Sequence, residues 1–238
     1  MKRIFKRLNR SRKLGQFLRR NILKPKWLYF LRSNPHPISE YCGFDRGTPL
    51  DRFFIEAFLE KEKINVKGRC LELLDDSYTK RFGSGQVIQN DVLDINPENP
   101  NATIIDDLRC LKHIKSDTYD CIILTQVLQF IDDVDSAIAE CYRILAPNGV
   151  LLATLPALSR ADGASGVEAD YWRFTTASAK YLFFKVFEKE NVVVTSYGNA
   201  RTGIFFLAGL AIEDVPKRLF MQEDGNFPTI ITVTARKV

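Results

Sequence analysis

The sequence predicts an α/β protein: a doubly wound, mostly parallel sheet of seven strands with flanking helices, preceded by a basic helical extension. Three observations carry that prediction. The run Arg69–Leu74 is short and nearly all apolar, which suits a strand buried on both faces, as in a parallel sheet. Strand and helix patterns then alternate along the chain, the signature of one wound sheet. Acids also gather at the first strand's end, with Glu72, Asp75 and Asp76 where open α/β sheets bind their ligands.

Taken in order, residues 1–32 carry 12 Lys/Arg and no acid, with Ile4, Leu8, Leu14, Phe17 and Leu18 among the apolar residues between them. Their spacing suggests an amphipathic helix, interrupted near Gly15 and ended by Pro25. Ser33-Asn-Pro-His-Pro reads as a linker. The division expected is therefore an extension and linker over 1–40 and a folded domain over 41–238. Thr48 can cap a helix whose first position suits Pro49 and whose first turn holds Asp51. After the opening strand, strands are expected over Gln86–Leu93, Ala102–Ile105 and Tyr119–Thr125. Asp132, Asp133 and Asp135 place negative charge at the start of a helix running through Leu145. Pro147-Asn148-Gly149 makes a turn into a fifth strand, Val150–Leu155. Thr175 or Thr176 caps a helix through Phe187, and Asn191–Tyr197 is the sixth strand. A helix over roughly 202–212 and a seventh strand, Thr229–Arg236, complete the pattern.

The net charge of +5 conceals an uneven distribution. Beyond Arg32 there are 22 basic residues against 29 acids, a net of −7, so a basic tail precedes an acidic body. Such a tail suits an anionic membrane surface, an acidic partner or simply a mobile solvated segment. Nucleic acid is not expected, since no recognised nucleic-acid module accompanies the charge. The five cysteines are scattered singly and no Cys/His spacing marks a metal site. Free thiols of a reducing compartment are the simple reading. The longest uncharged apolar run, Ile204–Ile212, is about half of a membrane span. The expectation is a cytoplasmic protein, peripheral at the inner face of the membrane if the tail binds there.

The first loop narrows the ligand. A dinucleotide site needs closely spaced glycines there, so that backbone amides can approach the pyrophosphate. Leu73-Leu74-Asp75-Asp76-Ser77-Tyr78 has no glycine and two acids. Pyrophosphate would be repelled, whereas a cationic ligand rich in hydroxyl donors would be held.

The helix–turn–strand stretch Tyr142-Arg-Ile-Leu-Ala-Pro-Asn-Gly-Val-Leu-Leu-Ala-Thr resembles a segment of class I S-adenosylmethionine (SAM)-dependent methyltransferases, in the broad small-molecule group called type 11. Tyr119-Asp-Cys-Ile-Ile-Leu-Thr-Gln-Val-Leu-Gln-Phe-Ile-Asp-Asp resembles that group's fourth strand and following loop. Phe44-Asp-Arg-Gly-Thr-Pro, Tyr78-Thr-Lys-Arg-Phe-Gly and Asp170-Tyr-Trp-Arg-Phe-Thr look like a narrower subgroup, found with glycan and cell-envelope biosynthesis enzymes. The resemblance covers about Tyr41 to the C-terminus and implies a Rossmann-like fold, SAM as cofactor and methyl transfer. It matches Glu72 to an acid orienting the methionine end of the cofactor, with Leu74 and Asp75 in the cofactor loop. Asp91, 19 residues after Glu72, matches the ribose-binding acid, with Asp94 its rival. Asp107 matches the acceptor for the adenine amino group, with Leu108 beside it, and Gln126 lines the methionine pocket. Leu74 stands where the subgroup usually has glycine, so an inactive copy serving as a binding or scaffold protein is the alternative.

The acceptor implied is a hydroxyl of a sugar, glycan intermediate or other small metabolite. Ser159–Asp170 has the composition of a mobile lid. Beyond it, Tyr171 and Trp172 offer flat faces for a ring, and Arg173 can hold a phosphate or carboxylate. Alternatively Trp172 anchors the next helix and Arg173 pairs with Asp170. Tyr41 and Arg46 are further substrate-side candidates. His113, Tyr171 and Arg173 are the candidates for catalytic roles, and no residue stands out as a general base.

Overall fold

A computed structural model describes residues 15–16, 35–83, 85–161 and 167–238. The expected basic helix, apart from residues 15–16, and the centre of the Ser159–Asp170 loop lie outside the described residues. The chain forms two compact units, one of residues up to Phe54 with Gly198–Thr229, the other of Ile55–Tyr197 with Ile230–Val238.

The second unit contains the whole sheet: β1 Gly68–Leu73, β2 Val87–Asp94, β3 Ile104–Ile105, β4 Tyr119–Thr125, β5 Leu145–Pro156, β6 Val192–Tyr197 and β7 Ile230–Arg236. Their order is β3-β2-β1-β4-β5-β7-β6. The first five run parallel, and β7 lies antiparallel between β5 and β6. Alternate residues of each central strand feed opposite faces. Leu71, Ile122 and Leu151 enter one apolar cluster, whereas Cys70, Cys121 and Leu152 enter the other. This two-sided burial is why the central strands read as continuous apolar runs.

β5 starts five residues earlier than the sequence suggests. Leu145 pairs with Tyr119, and the Pro147–Gly149 turn is absorbed as an irregularity before Val150 pairs with Cys121. β2 also runs one residue further, because β3 pairs Leu93 with Ile104 and Asp94 with Ile105.

The helices of this unit form as their caps dictate. α1, Leu50–Glu62, begins in the first unit and continues into the second. α2 is the short Ser77–Phe82. α3, Val134–Ile144, is capped by Asp133, whose carboxylate accepts the Ser136 amide. α4, Thr176–Phe183, starts with a reciprocal Thr175/Ser178 capping box and ends four residues before the expected Phe187.

In the first unit α5, Ala200–Leu207, is capped by Asn199 and is shorter than expected. It is followed by Gly209 at φ +74°. Pro49 lies outside α1, in a bridge to Ala211, and the Thr48 amide donates to Glu213 rather than Thr48 capping the helix. Cys70, Cys121 and Cys141 are buried free thiols, Cys42 is half-buried and Cys110 is exposed. Among the described residues no helix is long and apolar enough to cross a membrane.

Candidate functional site

The sheet order reverses between β1 and β4, and the crevice at such a switch point opens beyond the strand tips. Both tips turn sharply. Leu74 follows β1 at φ +72°, and Gln126 follows β4 at φ +54°. The Leu74 amide donates to the Leu93 carbonyl, and the Gln126 amide to the Thr154 carbonyl. Each turn therefore opens away from its sheet ladder while staying bonded to the neighbouring strand. A left-handed leucine costs about 1–2 kcal/mol relative to glycine, so the surrounding structure holds it there.

Between the tips lies a cavity of about 420 Å³, within the range of small-molecule sites. Its walls are largely apolar, from Leu73, Leu93, Leu108, Val127, Phe130 and Ile131, with Leu74, Ile95, Gln126 and Tyr171 around them. Its charged residues are Asp94, Asp106, Asp107 and Asp132 against one cation, Arg109. Arg109 spans two loops, forking onto Asp107 at 2.6–3.1 Å and reaching Asp132 at 2.7 Å. The guanidinium holds the Asp107 carboxyl below its ordinary range and is itself raised by the two acids. The Asp133 amide and then Arg109 lower Asp132 as well. The lining is thus net negative with its cation already neutralised.

The structure moves the strand-tip acid from Asp91 to Asp94. Asp91 sits inside β2 and is absent from the cavity wall. Its carboxylate takes Arg69 at 2.8 and 3.1 Å, the Tyr119 hydroxyl at 2.9 Å and the Gln89 amide at 3.1 Å. Burial raises its pKa, but those bonds outweigh burial and hold it below the usual carboxylate range. Three residues on, Asp94 is 8 % exposed and lines the cavity.

Glu72 is likewise not on the wall. It is 2 % exposed and accepts the Tyr78 and Thr79 amides at 3.1 and 2.7 Å, fixing the start of α2. Burial pushes its pKa up to about 7 in spite of those two bonds. Asp75 takes the Ser77 amide in an exposed turn and also lies off the wall. Leu74, Asp107, Leu108 and Gln126 all line the cavity.

On the substrate side only Tyr171 reaches the wall. Trp172 instead donates its indole N–H to the Ile131 carbonyl at 2.8 Å. Arg173 is committed to the protein, forked onto Asp170 at 2.6 and 2.8 Å and bonded to the Arg160 carbonyl at 2.7 Å. It holds its own loop rather than offering a free anion site. Arg46 belongs to the first unit, 2 % exposed and forked onto Asp214 at 2.7 and 2.9 Å, so its guanidinium is not free for substrate either. Tyr41, in the same unit, is 70 % exposed. His113 is exposed and off the cavity wall, joined to Asp106 only through its backbone amide.

On the wall, Asp106 and Arg109 are not among the residues the sequence singles out, and Phe130 and Asp132, though inside the stretch that resembles the loop after the fourth strand, carry no ligand role there. The available signal was Arg109 itself, a cation two residues beyond Asp107 in a loop that follows a predicted strand.

A sequence profile described as a methyltransferase domain matches residues 84–153. No curated protein is similar enough to count as a match. Among solved structures, a SAM-dependent methyltransferase from Archaeoglobus fulgidus is 13 % identical, with a TM-score of 0.54 over 84 % of this chain and all of that one. A Burkholderia thailandensis 1,6-didemethyltoxoflavin N1-methyltransferase, solved with 1,6-didemethyltoxoflavin and S-adenosylhomocysteine bound, is 15 % identical with a TM-score of 0.50, over 81 % of this chain and 80 % of that one. The [4+2]-cyclase SpnF is equally similar, 15 % identical with a TM-score of 0.50 over 95 % and 96 % of the two chains. The fold alone thus does not name the reaction, as is general for widely used folds. A methyltransferase-domain profile thus matches residues 84–153, and the chain shares its fold with solved SAM-dependent methyltransferases.

Proposed function

We propose that the chain transfers a methyl group from SAM to a hydroxyl of a sugar, a glycan intermediate or another small metabolite. The observation that carries the cofactor reading is Asp94, a buried carboxylate at the tip of β2 in a net-negative, apolar-walled cavity. That donor set fits the cofactor. One carboxylate can accept from two adjacent ribose hydroxyls. Leu93, Leu108 and Val127 offer apolar surface to a purine, and the surplus of acids favours a sulfonium and an ammonium over a phosphate.

When bound, SAM supplies a methyl group on cationic sulfur; the acceptor oxygen forms the new C–O bond, the S–C pair returns to sulfur and the hydroxyl proton leaves. The chain's part is to align donor and acceptor, which supplies much of the rate in such a displacement. Leu74 and Gln126 shape the cavity at the two strand tips, and Tyr171 presents a ring at its edge. For the proton, Asp132 is a poor acceptor because its pKa is lowered. Asp106, on the wall and without an ion pair among the described residues, is the better-placed carboxylate. The backbone of Leu74 retains the left-handed conformation that a glycine would take there, which favours a working loop over a degenerate one.

Calorimetric titration with SAM and S-adenosylhomocysteine tests the reading. Micromolar binding that is lost in Asp94→Ala and kept in a folded Asp91→Ala variant supports it. Failure of the native chain to bind, with binding restored by Leu74→Gly, supports the scaffold alternative instead. The glycan side rests on the resemblance of Asp170-Tyr-Trp-Arg-Phe-Thr and on the basic tail, which we propose holds the protein against an anionic membrane. Co-sedimentation with anionic liposomes at low salt, abolished by deleting residues 1–32, is the expected result; no sedimentation removes the membrane role.

A further inference from the structure

We propose that Asn99 is a positioning residue for Asp94, aligning its carboxylate for a ligand's vicinal diol; this rests on the cofactor reading above. The Asn99 side-chain nitrogen lies 2.5 Å from Asp94 Oδ2 and 2.7 Å from the Leu74 carbonyl oxygen. Both partners are acceptors, so the amide must present its NH2 group to them. Its oxygen accepts the Asn101 amide at 3.0 Å, which fixes the same orientation. The loop is braced from within, by the Asn99 amide on the Asn96 carbonyl and the Ala102 amide on the Asn99 carbonyl.

The other Asp94 oxygen, Oδ1, accepts the Asn96 amide at 2.9 Å. Among the described residues each carboxylate oxygen therefore has one protein partner, and one lone pair is left for a donor in the cavity that Asp94 lines. With both oxygens tethered, the carboxylate cannot rotate to satisfy one hydroxyl at the expense of the other. The same Asn99 nitrogen holds the carbonyl of Leu74, whose φ is +72°. One side chain thus ties the tips of β1 and β2 into a fixed spacing. This is preorganisation of an acceptor pair, the effect that makes a hydrogen bond discriminate between ligands rather than merely hold one.

The test is calorimetric titration of the full chain, Asn99→Ala and Asn99→Ser with S-adenosylhomocysteine and its 2′-deoxy and 3′-deoxy analogues. The native chain is expected to prefer the parent ligand by ~10–100-fold, the range of a hydrogen bond to a charged group. Asn99→Ala should compress that ratio to ~3-fold or less, with the deoxy analogues binding both chains about equally, and Asn99→Ser should fall between. An equal loss of affinity for parent and analogues is ordinary structural damage and overturns the positioning role, as does an unchanged ratio. Where Asn99→Ala does not fold, Asn99→Ser decides by the same ratio. A native chain that binds the parent but discriminates by less than ~3-fold also overturns the role of Asn99 while leaving the cofactor reading intact. A native chain that binds none of the ligands overturns both.

Discussion

The middle of β2 and its tip carry the same residue to opposite ends. Asp91 faces a cation, a phenol and an amide, all of them protein groups, and lies off the cavity wall. The Asp94 carboxylate, three residues on, is bonded among the described residues only to the loop that follows it, and it keeps capacity for a donor in the cavity. A carboxylate inside a sheet serves stability, and one at a strand tip can serve a ligand. Residue type does not separate the two roles, whereas position relative to the last ladder pair does.

The largest effect expected from that contrast is at Asp91. Asp91→Ala leaves the Tyr119 hydroxyl without its partner and Arg69 without its counter-ion. Breaking a buried pair costs about 3–5 kcal/mol, and the partial exposure of Arg69 brings the expectation to about 3 kcal/mol. Urea denaturation measures it. A loss below about 1 kcal/mol would mean that the mid-strand network is not structural.

Glu72 sharpens the comparison, since it is an interior acid held by amides instead of a cation. Its native pKa stands at about 7 against an ordinary 4.5. The folded chain thus binds more protons than the unfolded one between those values, and stability falls as pH rises from about 4.5 to about 7. The size is about 3 kcal/mol at most, less where the site relaxes. Asp91, with a lowered pKa, acts in the opposite sense, its contribution being lost as the solution is acidified. Unfolding free energies at pH 5 and 7.5 check this. Glu72→Gln should gain on the native chain toward pH 7.5, and parallel curves would contradict the inference.

At the tip the effects move from stability to binding. Asp94→Ala should weaken S-adenosylhomocysteine by ~10–100-fold, the contribution of charge-assisted hydrogen bonds, while costing only about 1 kcal/mol of stability through its loop bonds. If Asp94→Ala instead destabilises as much as Asp91→Ala, the two ends of the strand are not functionally distinct. The smallest change in stability belongs to Leu74→Gly. Relief of left-handed strain and the greater unfolded-state freedom of glycine nearly cancel, leaving a shift within about 1 kcal/mol. Ligand affinity should hold or rise, and a fall would show that the leucine side chain forms part of the binding surface.

The sheet was largely legible because central strands buried on both faces announce themselves as apolar runs. What failed did so at boundaries. The run through Val92 and Leu93 gives no sign that Asp94 stays in the ladder, because that depends on two residues of β3 pairing beside it. Arg46 and Arg173 look alike in sequence as free cations near ligand segments. The partner of Arg173 stands three residues away and was foreseeable, whereas that of Arg46 is Asp214, 168 residues distant. Glu72 is conspicuous in sequence as the acid inside an apolar strand, but only the fold shows that α2 begins at its carboxylate.

The last-made strand of the sheet, β7, sits between β5 and β6, and among the described residues β6 has no other ladder partner. On the ribosome, residues 192–197 emerge well before 230–236, so β6 waits with every ladder hydrogen bond unmade while the whole first-unit segment Gly198–Thr229 is synthesised. Pairing across such an interval is slow, and an open apolar edge invites other chains meanwhile. Translation halted before Ile230 would therefore release a sheet with β5 uncovered and β6 unattached, a product for chaperones and proteases rather than a shortened enzyme.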